Sequence, residues 1–247
     1  MKGDGVADDG KRGFVTGLLA AGLLAGPARQ VGAQGAAPEL APTGAQTDGG
    51  PLALAGPSLA GALAVEQAFQ SRRSRRAFRA DALALTEVAQ LLWAAQGRTD
   101  DGGHRTAPSA GALYPLEVIL VAGRVDGLAP GVYRYLPDGH ALDRAGDGDR
   151  RAAVAATTRG QAWVAEAPAL LVIAAALLRT RQRYGTRAER FVALEAGGVA
   201  QNVYLQAAAR GWATVLVGAF DEPRLLDALG LGSDREPLVL MPVGRPR

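Results

Sequence analysis

Short apolar segments alternate with longer amphipathic ones from Val65 to the C-terminus, and this alternation limits the fold more than any other feature. Glu117–Ala122 (EVILVA) has the length and composition of a buried strand. Ala169–Ala175 (ALLVIAA) fits either a strand or a short buried helix, because periodicity cannot separate the two. Pro137-Asp138-Gly139 lies between two strand-like segments and predicts a β-hairpin. The sequence therefore predicts a sheet that includes at least one hairpin.

Helical segments lie between these strands. We predict helices over Thr86–Gln96 and Arg187–Arg210, each followed by a glycine that ends it, and a helix capped by Asp221. Shorter strands are predicted over Ala213–Val217 and Leu238–Val243. Strands interleaved with helices, together with a hairpin, predict an α+β fold with a mixed β-sheet and helices packed on it.

Residues 1–33 have the pattern of an export signal. Lys11-Arg12 precedes an apolar run from Phe14 to Gly26, which is too short to span a bilayer, and Val31-Gly32-Ala33 is a small-residue cleavage site. The paired cations resemble a twin-arginine signal, and an ordinary secretory signal or an uncleaved anchor are the alternatives. We therefore expect an exported, periplasmic or otherwise extracytoplasmic protein with no stable membrane span after cleavage.

Two further parts follow the signal. Residues 34–64 are mostly Ala, Gly, Pro and Thr, with two acids and no cation, a composition typical of a flexible linker. Residues 65–247 carry the globular pattern and are predicted to form one domain of ordinary size.

The composition excludes several kinds of chemistry. The chain has no cysteine and two histidines, so thiolate catalysis, disulfide scaffolds and Cys- or His-rich metal centres are excluded. Lys2 and Lys11 are its lysines, so the domain has no Schiff-base or P-loop lysine. The formal net charge of +3 is small, and we expect no nucleic-acid partner.

The densest cluster of cations lies between Ser71 and Arg79, where five arginines occur within nine residues (SRRSRRAFR). Guanidinium forks, a hydroxyl and backbone N–H groups suit a phosphate ligand, because a dianion offsets the repulsion among the cations. A solvated basic turn is the alternative interpretation.

Two small-residue segments are further candidates. Arg105–Pro115 (RTAPSAGALYP) lets backbone approach a flat ligand, and Val217–Asp221 is a strand end that runs into a helix start. A Ser109 nucleophile with His104 as its base is the rival interpretation, but the G-x-S-x-G elbow is missing.

In combination and in order, these segments resemble the nitroreductase-like FMN flavoprotein family. Arg72–Phe78 resembles its R-R-S-x-R-x-F opening, and Pro108–Glu117 (PSAGALYPLE) resembles its SagB-type dehydrogenase branch. The other matching segments are Leu91–Gly97, Leu194–Gly197 with Ala200–Asn202, Val217–Asp221 and Pro242–Pro246.

The resemblance implies an α+β homodimer with FMN at the subunit interface, and it assigns three groups of cofactor contacts. Those expected at the phosphate and ribityl end are Arg72, Arg73, Ser74 and Arg76, with Arg245 as a further phosphate contact. Those expected to pass along the isoalloxazine ring, from the other subunit, are Pro108, Ser109, Ala110 and Gly111. Gly218 and Ala219 are expected to direct N–H groups at N5 and O4 of the flavin.

The implied function is an exported FMN-dependent oxidoreductase that transfers a hydride or electrons between flavin N5 and a small-molecule or peptide substrate. Tyr184 is the predicted catalytic residue. SagB-type azoline oxidases have a Lys-Tyr pair implicated in proton abstraction, whereas this chain has Arg183-Tyr184, and arginine is a poor base. The alternatives are an NAD(P)H-dependent nitro- or quinone reductase and a non-catalytic FMN-binding protein.

Overall fold

A computed structural model of the chain describes residues 50–247. The predicted signal peptide, 1–33, and the part of the predicted linker before residue 50 lie outside the described residues. The strands are β1 (Leu52–Ala53), β2 (Leu83–Ala84), β3 (Leu116–Ala122), β4 (Val125–Asp126), β5 (Gly131–Leu136), β6 (Ala141–Asp147), β7 (Ala169–Ala175), β8 (Ala213–Thr214) and β9 (Glu236–Gly244). The α-helices are α1 (Val65–Ser71), α2 (Leu85–Gln96), α3 (Arg151–Ala155), α4 (Leu177–Tyr184), α5 (Ala188–Ala209) and α6 (Glu222–Leu229).

Seven strands form one sheet in the order β1-β6-β5-β3-β7-β9-β8, and every neighbouring pair is antiparallel. The prediction of a mixed sheet is therefore wrong for this sheet. A parallel pair occurs in the described residues as a separate two-stranded sheet of β2 and β4. β8 follows α5 and runs in the direction of β7, but β9 lies between them and opposes both. The order of strands and helices along the sequence does not show that β9 lies between β7 and β8.

The centre of the sheet is covered on both faces, which explains why its central strands are mostly apolar. On β3, Leu116, Val118 and Leu120 belong to one core, which is shared with α2 and α5. Ile119 and Val121 belong to the other core, which is shared with α3 and α6. β7 is a strand and not a helix, and all seven of its residues are buried. The α+β class, the β5–β6 hairpin and the long helix α5 are confirmed.

The prediction of a flexible linker over 34–64 does not hold for residues 52–58, because this part packs on the domain. Leu52 pairs with Leu142 on β6, which makes β1 the edge strand, and the Leu54 N–H donates to the His140 carbonyl at 2.9 Å. The Ser58 N–H donates to Gln90 Oε1 at 2.8 Å. An unpaired sheet edge can order a segment of low complexity, because its open N–H and C=O groups accept another strand.

The strand predicted over Ala213–Val217 is shorter than expected. Ala213 and Thr214 pair with β9, and Val217 forms an isolated bridge with Leu240. Between them, the Leu216 N–H donates to a side chain, the hydroxyl of Tyr204, at 2.8 Å. Within residues 50–247, no helix is long and apolar enough to cross a membrane.

Candidate active site

The arginine cluster begins where α1 ends, and buried contacts on both sides fix its path. The Arg75 N–H donates to the Thr214 carbonyl at 3.0 Å. Phe78 is fully buried, stacks against Trp163 and forms an antiparallel bridge with Pro246. The exposed arginines are therefore held between a buried anchor and the short strand β8.

Tyr204, on α5, joins the cluster to the segment after β8. Its hydroxyl accepts the Leu216 N–H at 2.8 Å and lies 2.9 Å from Ser74 Oγ. The Arg72 guanidinium lies 5.0 Å from the centroid of the same ring, which is a cation–π distance. Sequence reasoning missed Tyr204, because it lies 130 residues from Ser74. The available signal was that Tyr204 lies two residues after the Ala200–Asn202 motif on the same predicted helix.

The ion pairs distinguish the arginines of this region. Within the described part of the chain, Arg72, Arg73 and Arg76 have no ion-pair partner. Arg79, by contrast, pairs with a neighbouring aspartate, Asp81, at 2.6 Å. One Arg73 nitrogen donates to the carbonyls of residues 70 and 72. The cluster therefore contains positive charge that no protein carboxylate neutralises.

Arg245 was predicted as a phosphate contact, but its guanidinium is already engaged. It pairs with Glu87 on α2 at 2.6 Å. Its backbone carbonyl accepts the Arg79 N–H at 2.9 Å, so the C-terminal tail lies beside the cluster. Arg245 therefore lies beside the cluster, and its charge is paired with a protein carboxylate.

The segment with Gly218 and Ala219 is held from both sides and leaves its N–H groups open. The Ala219 carbonyl accepts the Arg159 N–H at 3.2 Å, and the Asp221 N–H donates to the Thr157 carbonyl at 2.9 Å. The Asp221 side chain caps α6 as predicted. Gly218 and Ala219 are exposed, and their N–H groups have no protein partner within residues 50–247. Two unpaired donors in a fixed loop can bind a ligand heteroatom.

The predicted turn from Pro108 to Gly111 forms around a 3₁₀ turn, Ala110–Ala112. Ser109 Oγ accepts the Tyr114 N–H at 2.9 Å. Gly111 has φ +62°, and Ala112 and Tyr114 also have positive φ. Positive φ at non-glycine residues is strained and is kept where surrounding contacts hold it.

Glu195, on α5, is one of those contacts. Its Oε1 accepts the Ala110 N–H at 2.8 Å, and its buried carboxyl group lies against the Ser109 hydroxyl beneath the turn. Burial raises the pKa of Glu195 above its ordinary value. Sequence reasoning missed this residue as a site group, although it lies in the Leu194–Gly197 motif.

Tyr184 and Arg183, at the end of α4, lie over the same turn. A Cβ atom on Gly111 would lie 2.7 Å from Tyr184 Oη and 2.9 Å from an Arg183 nitrogen. The Tyr184 ring packs edge-on against Phe191 at 5.0 Å. The predicted catalytic tyrosine therefore does lie at the predicted ring-binding turn.

Within one chain, the predicted residues form two clusters and not one. Tyr204 holds the arginine cluster near the Gly218 loop, and Glu195 holds the turn at Gly111. These two side chains are nine residues apart on α5, about 13 Å along the helix axis.

The rival hydrolase interpretation finds no support at Ser109. Its oxygen is engaged with the Tyr114 amide, and His104 is exposed and paired with Asp100 at 2.7 Å. The donor set of the arginine cluster and of the Gly218 loop instead fits flavin mononucleotide. It has unneutralised cations and a hydroxyl for the phosphate and open N–H groups for a ring heteroatom.

Comparison with known proteins shows the family of the chain. A family model described as the nitroreductase family matches residues 69–245. A Methanocaldococcus jannaschii protein named as a nitroreductase is 42% identical over 181 residues, which are 73% of this chain and 90% of that protein.

Two solved structures extend the comparison. A Ralstonia eutropha structure named as a nitroreductase is 29% identical, with a TM-score of 0.69, and the match covers 80% of this chain and 90% of that one. The NADPH:FMN oxidoreductase of Vibrio harveyi, in complex with NAD+, is 20% identical with a TM-score of 0.55. That match covers 74% of this chain and 68% of the other and shows the fold alone.

The antiparallel sheet between helical layers gives an α+β fold, and the family match makes the protein an oxidoreductase of a flavoprotein class. The chain belongs to the nitroreductase family, whose members typically bind a flavin.

Proposed function

We propose that this protein is an FMN-dependent oxidoreductase that transfers a hydride or electrons between an organic substrate and N5 of the flavin. One observation carries the proposal. Arg72 and Arg76 lack carboxylate partners in the described chain, and Tyr204 joins their cluster to the segment that leads into the open N–H groups of the Gly218 loop. A charged phosphate next to a polar heterocycle is the ligand that these donors match.

The roles of the residues follow from their donors. Arg72, Arg76 and Ser74 bind the phosphate, and Gly218 and Ala219 donate N–H groups to the ring edge. When bound, FMN supplies the hydride- or electron-transferring atom, N5. The protein orients the ring and adjusts its electron affinity through these hydrogen bonds.

We further propose that the site is completed in a homodimer, with the turn from Pro108 to Gly111 contributed by the second copy. The separation of the two clusters in one chain supports this arrangement. So does the outer face of α5, where Leu194 is 65% exposed and a Cβ on Gly197 or Gly198 would meet no atom within 4 Å. A large exposed apolar side chain beside open space is typical of an interface.

Light scattering after gel filtration tests the dimer. We expect a mass twice that of the chain for the wild type, and a monomer that binds FMN weakly for Leu194→Glu. A monomeric wild-type protein that binds FMN tightly would disprove the shared site.

The central test is the visible spectrum of the purified protein. We expect a yellow protein that releases FMN on denaturation, and a double Arg72→Ala/Arg76→Ala variant that does not retain it. Arg79→Ala is the matched control, because its charge is already paired with Asp81. A colourless protein that takes up no added FMN would refute the proposal.

The direction of electron transfer separates two candidate functions. The preferred one is SagB-type-like oxidation of a small molecule or peptide, with Tyr184 Oη holding or donating a proton over the turn. The other is an NAD(P)H-dependent nitro- or quinone reductase, which the names of the similar proteins favour. Rapid bleaching of the flavin by sub-millimolar NAD(P)H supports the reductase, and its absence excludes it. A protein that binds FMN but turns over no substrate would be a flavin-binding protein without catalysis.

We also propose export through the twin-arginine route, on the sequence of residues 1–33 alone. Cell fractionation of a tagged chain should place the mature form outside the cytoplasm, and replacing Lys11-Arg12 with two glutamines should retain it inside. Export that is unaffected by this replacement would argue for an ordinary secretory signal.

A further inference from the structure

Three arginines surround the turn at Gly111. One Arg179 nitrogen donates to the Tyr114 carbonyl at 3.3 Å, and one Arg183 nitrogen donates to the Gly111 carbonyl at 3.5 Å. The Arg105 guanidinium lies 4.4 Å from the centroid of the Tyr114 ring. The turn thus carries three permanent positive charges at one place in the fold.

The carboxylates of this region do not balance those charges. Glu117 accepts Arg179 at 2.9 Å and Arg235 at 2.8 Å, and Arg235 also pairs with Asp234, so these two cations are balanced and the surplus comes from the other arginines. In the described part of the chain, Arg105 and Arg183 have no ion-pair partner. Glu195 is buried beneath the turn, where its Oε1 accepts the Ala110 N–H, and it forms no ion pair with these arginines in the described residues. The region therefore has a surplus of positive charge and attracts anions.

Two donors converge above the turn. Arg183 Nη1 and Tyr184 Oη both lie within 3 Å of the point where a Cβ of Gly111 would be. The Arg183 guanidinium lies 5.6 Å from the Tyr184 ring centroid, and the ring is fixed against Phe191. Arg183 is exposed, so its remaining N–H groups are open to a ligand. A guanidinium fork beside a phenol O–H matches a carboxylate.

We propose that Arg183 and Tyr184 bind a carboxylate of the substrate at this turn, so that the enzyme acts on organic anions. The inference deepens the proposed function and rests on it, because it places the substrate against the turn that lines the flavin. Arginine stays protonated, so Arg183 binds and orients the anion and does not take a proton from it.

The test compares two probes that differ in charge. The FMN-loaded oxidised protein is titrated at pH 7.5 with 4-nitrobenzoate and with its methyl ester, and the shift in flavin absorbance gives each Kd. We expect the anion to bind at least tenfold more tightly, and the preference to shrink at high salt. In Arg183→Met the preference should fall to about twofold or less, and in Tyr184→Phe it should fall in part.

Arg187→Met is the matched control, because Arg187 is an exposed arginine close by in sequence that forms no hydrogen bond or ion pair with the turn in the described residues. It should keep the preference, and all variants should retain FMN. Equal affinity of the wild type for the two probes, or an unchanged preference in Arg183→Met, would overturn the inference and leave the proposed function intact. A protein that takes up no FMN would overturn both.

Discussion

Replacing Tyr204 with phenylalanine tests the phosphate end of the proposed site. The change removes one oxygen and keeps the ring, so the Arg72 guanidinium keeps its aromatic contact. It removes the acceptor of the Leu216 N–H and the partner of Ser74 Oγ. Because Tyr204 Oη accepts the Leu216 amide, its own proton is free to donate to Ser74. The Ser74 proton is then free for a phosphate.

The expected magnitudes follow from these contacts. Leu216 is 41% exposed, so water can replace the lost acceptor, and we expect a loss of about 1 kcal/mol in the free energy of unfolding. A hydrogen bond to a charged group contributes about 1.5–3 kcal/mol. Weakening the Ser74–phosphate contact should therefore raise the Kd for FMN roughly tenfold or more.

Quenching of flavin fluorescence by the apoprotein measures this affinity, with riboflavin as the matched ligand that lacks the phosphate. Tyr204→Phe should weaken FMN binding and leave riboflavin binding nearly unchanged. Tyr133→Phe is the control, because it removes a tyrosine hydroxyl outside the cluster, one that donates to the Ala129 carbonyl at 2.7 Å. If Tyr204→Phe weakened both ligands equally or neither, the assignment of the phosphate to this cluster would be wrong.

Three further predictions concern stability. Gly123→Ala should lower the free energy of unfolding by about 1–3 kcal/mol or more, because its Cβ would lie 1.7 Å from the buried Arg151 side chain. Denaturant unfolding measures this loss, and an unchanged midpoint would contradict the prediction. Burial lowers the pKa of His140, so the folded state favours the neutral ring and loses stability as the pH falls below about 6.5. The variant His140→Gln should lack this loss of stability. Equal slopes of melting temperature against pH for the variant and the wild type would refute this prediction. Glu195→Gln should melt no lower than the wild type, because a neutral amide avoids the burial that raises the pKa of Glu195 and keeps an acceptor for Ala110. Glu195→Ala should lose about 1–3 kcal/mol, and equal melting of the two variants would refute the role.

Local patterns in the sequence were sufficient for the elements and the candidate segments. The apolar run of β7, the glycine after α5 and the Asp221 cap act within a few residues, so they can be recognised without knowing the fold. The helix α4 was not predicted, because its sequence LLRTRQRY has too few apolar positions to show a helical period. The ordered position of Leu52–Ala53 was missed because it depends on pairing with β6, which no local sequence pattern shows.

The sequence by itself determined that this domain has no thiol and no lysine. It also determined that its arginines lie close to segments that resemble phosphate-binding and ring-binding motifs. Only the tertiary structure decided which of those cations are free. Arg245 pairs with Glu87, which lies 158 residues away in sequence, whereas Arg72 and Arg183 have no carboxylate partner in the described chain. It also decided that Tyr204 and Glu195 support the two clusters. The physical reason is that ion pairs and buried hydrogen bonds join residues distant in sequence, and packing alone sets which of them meet.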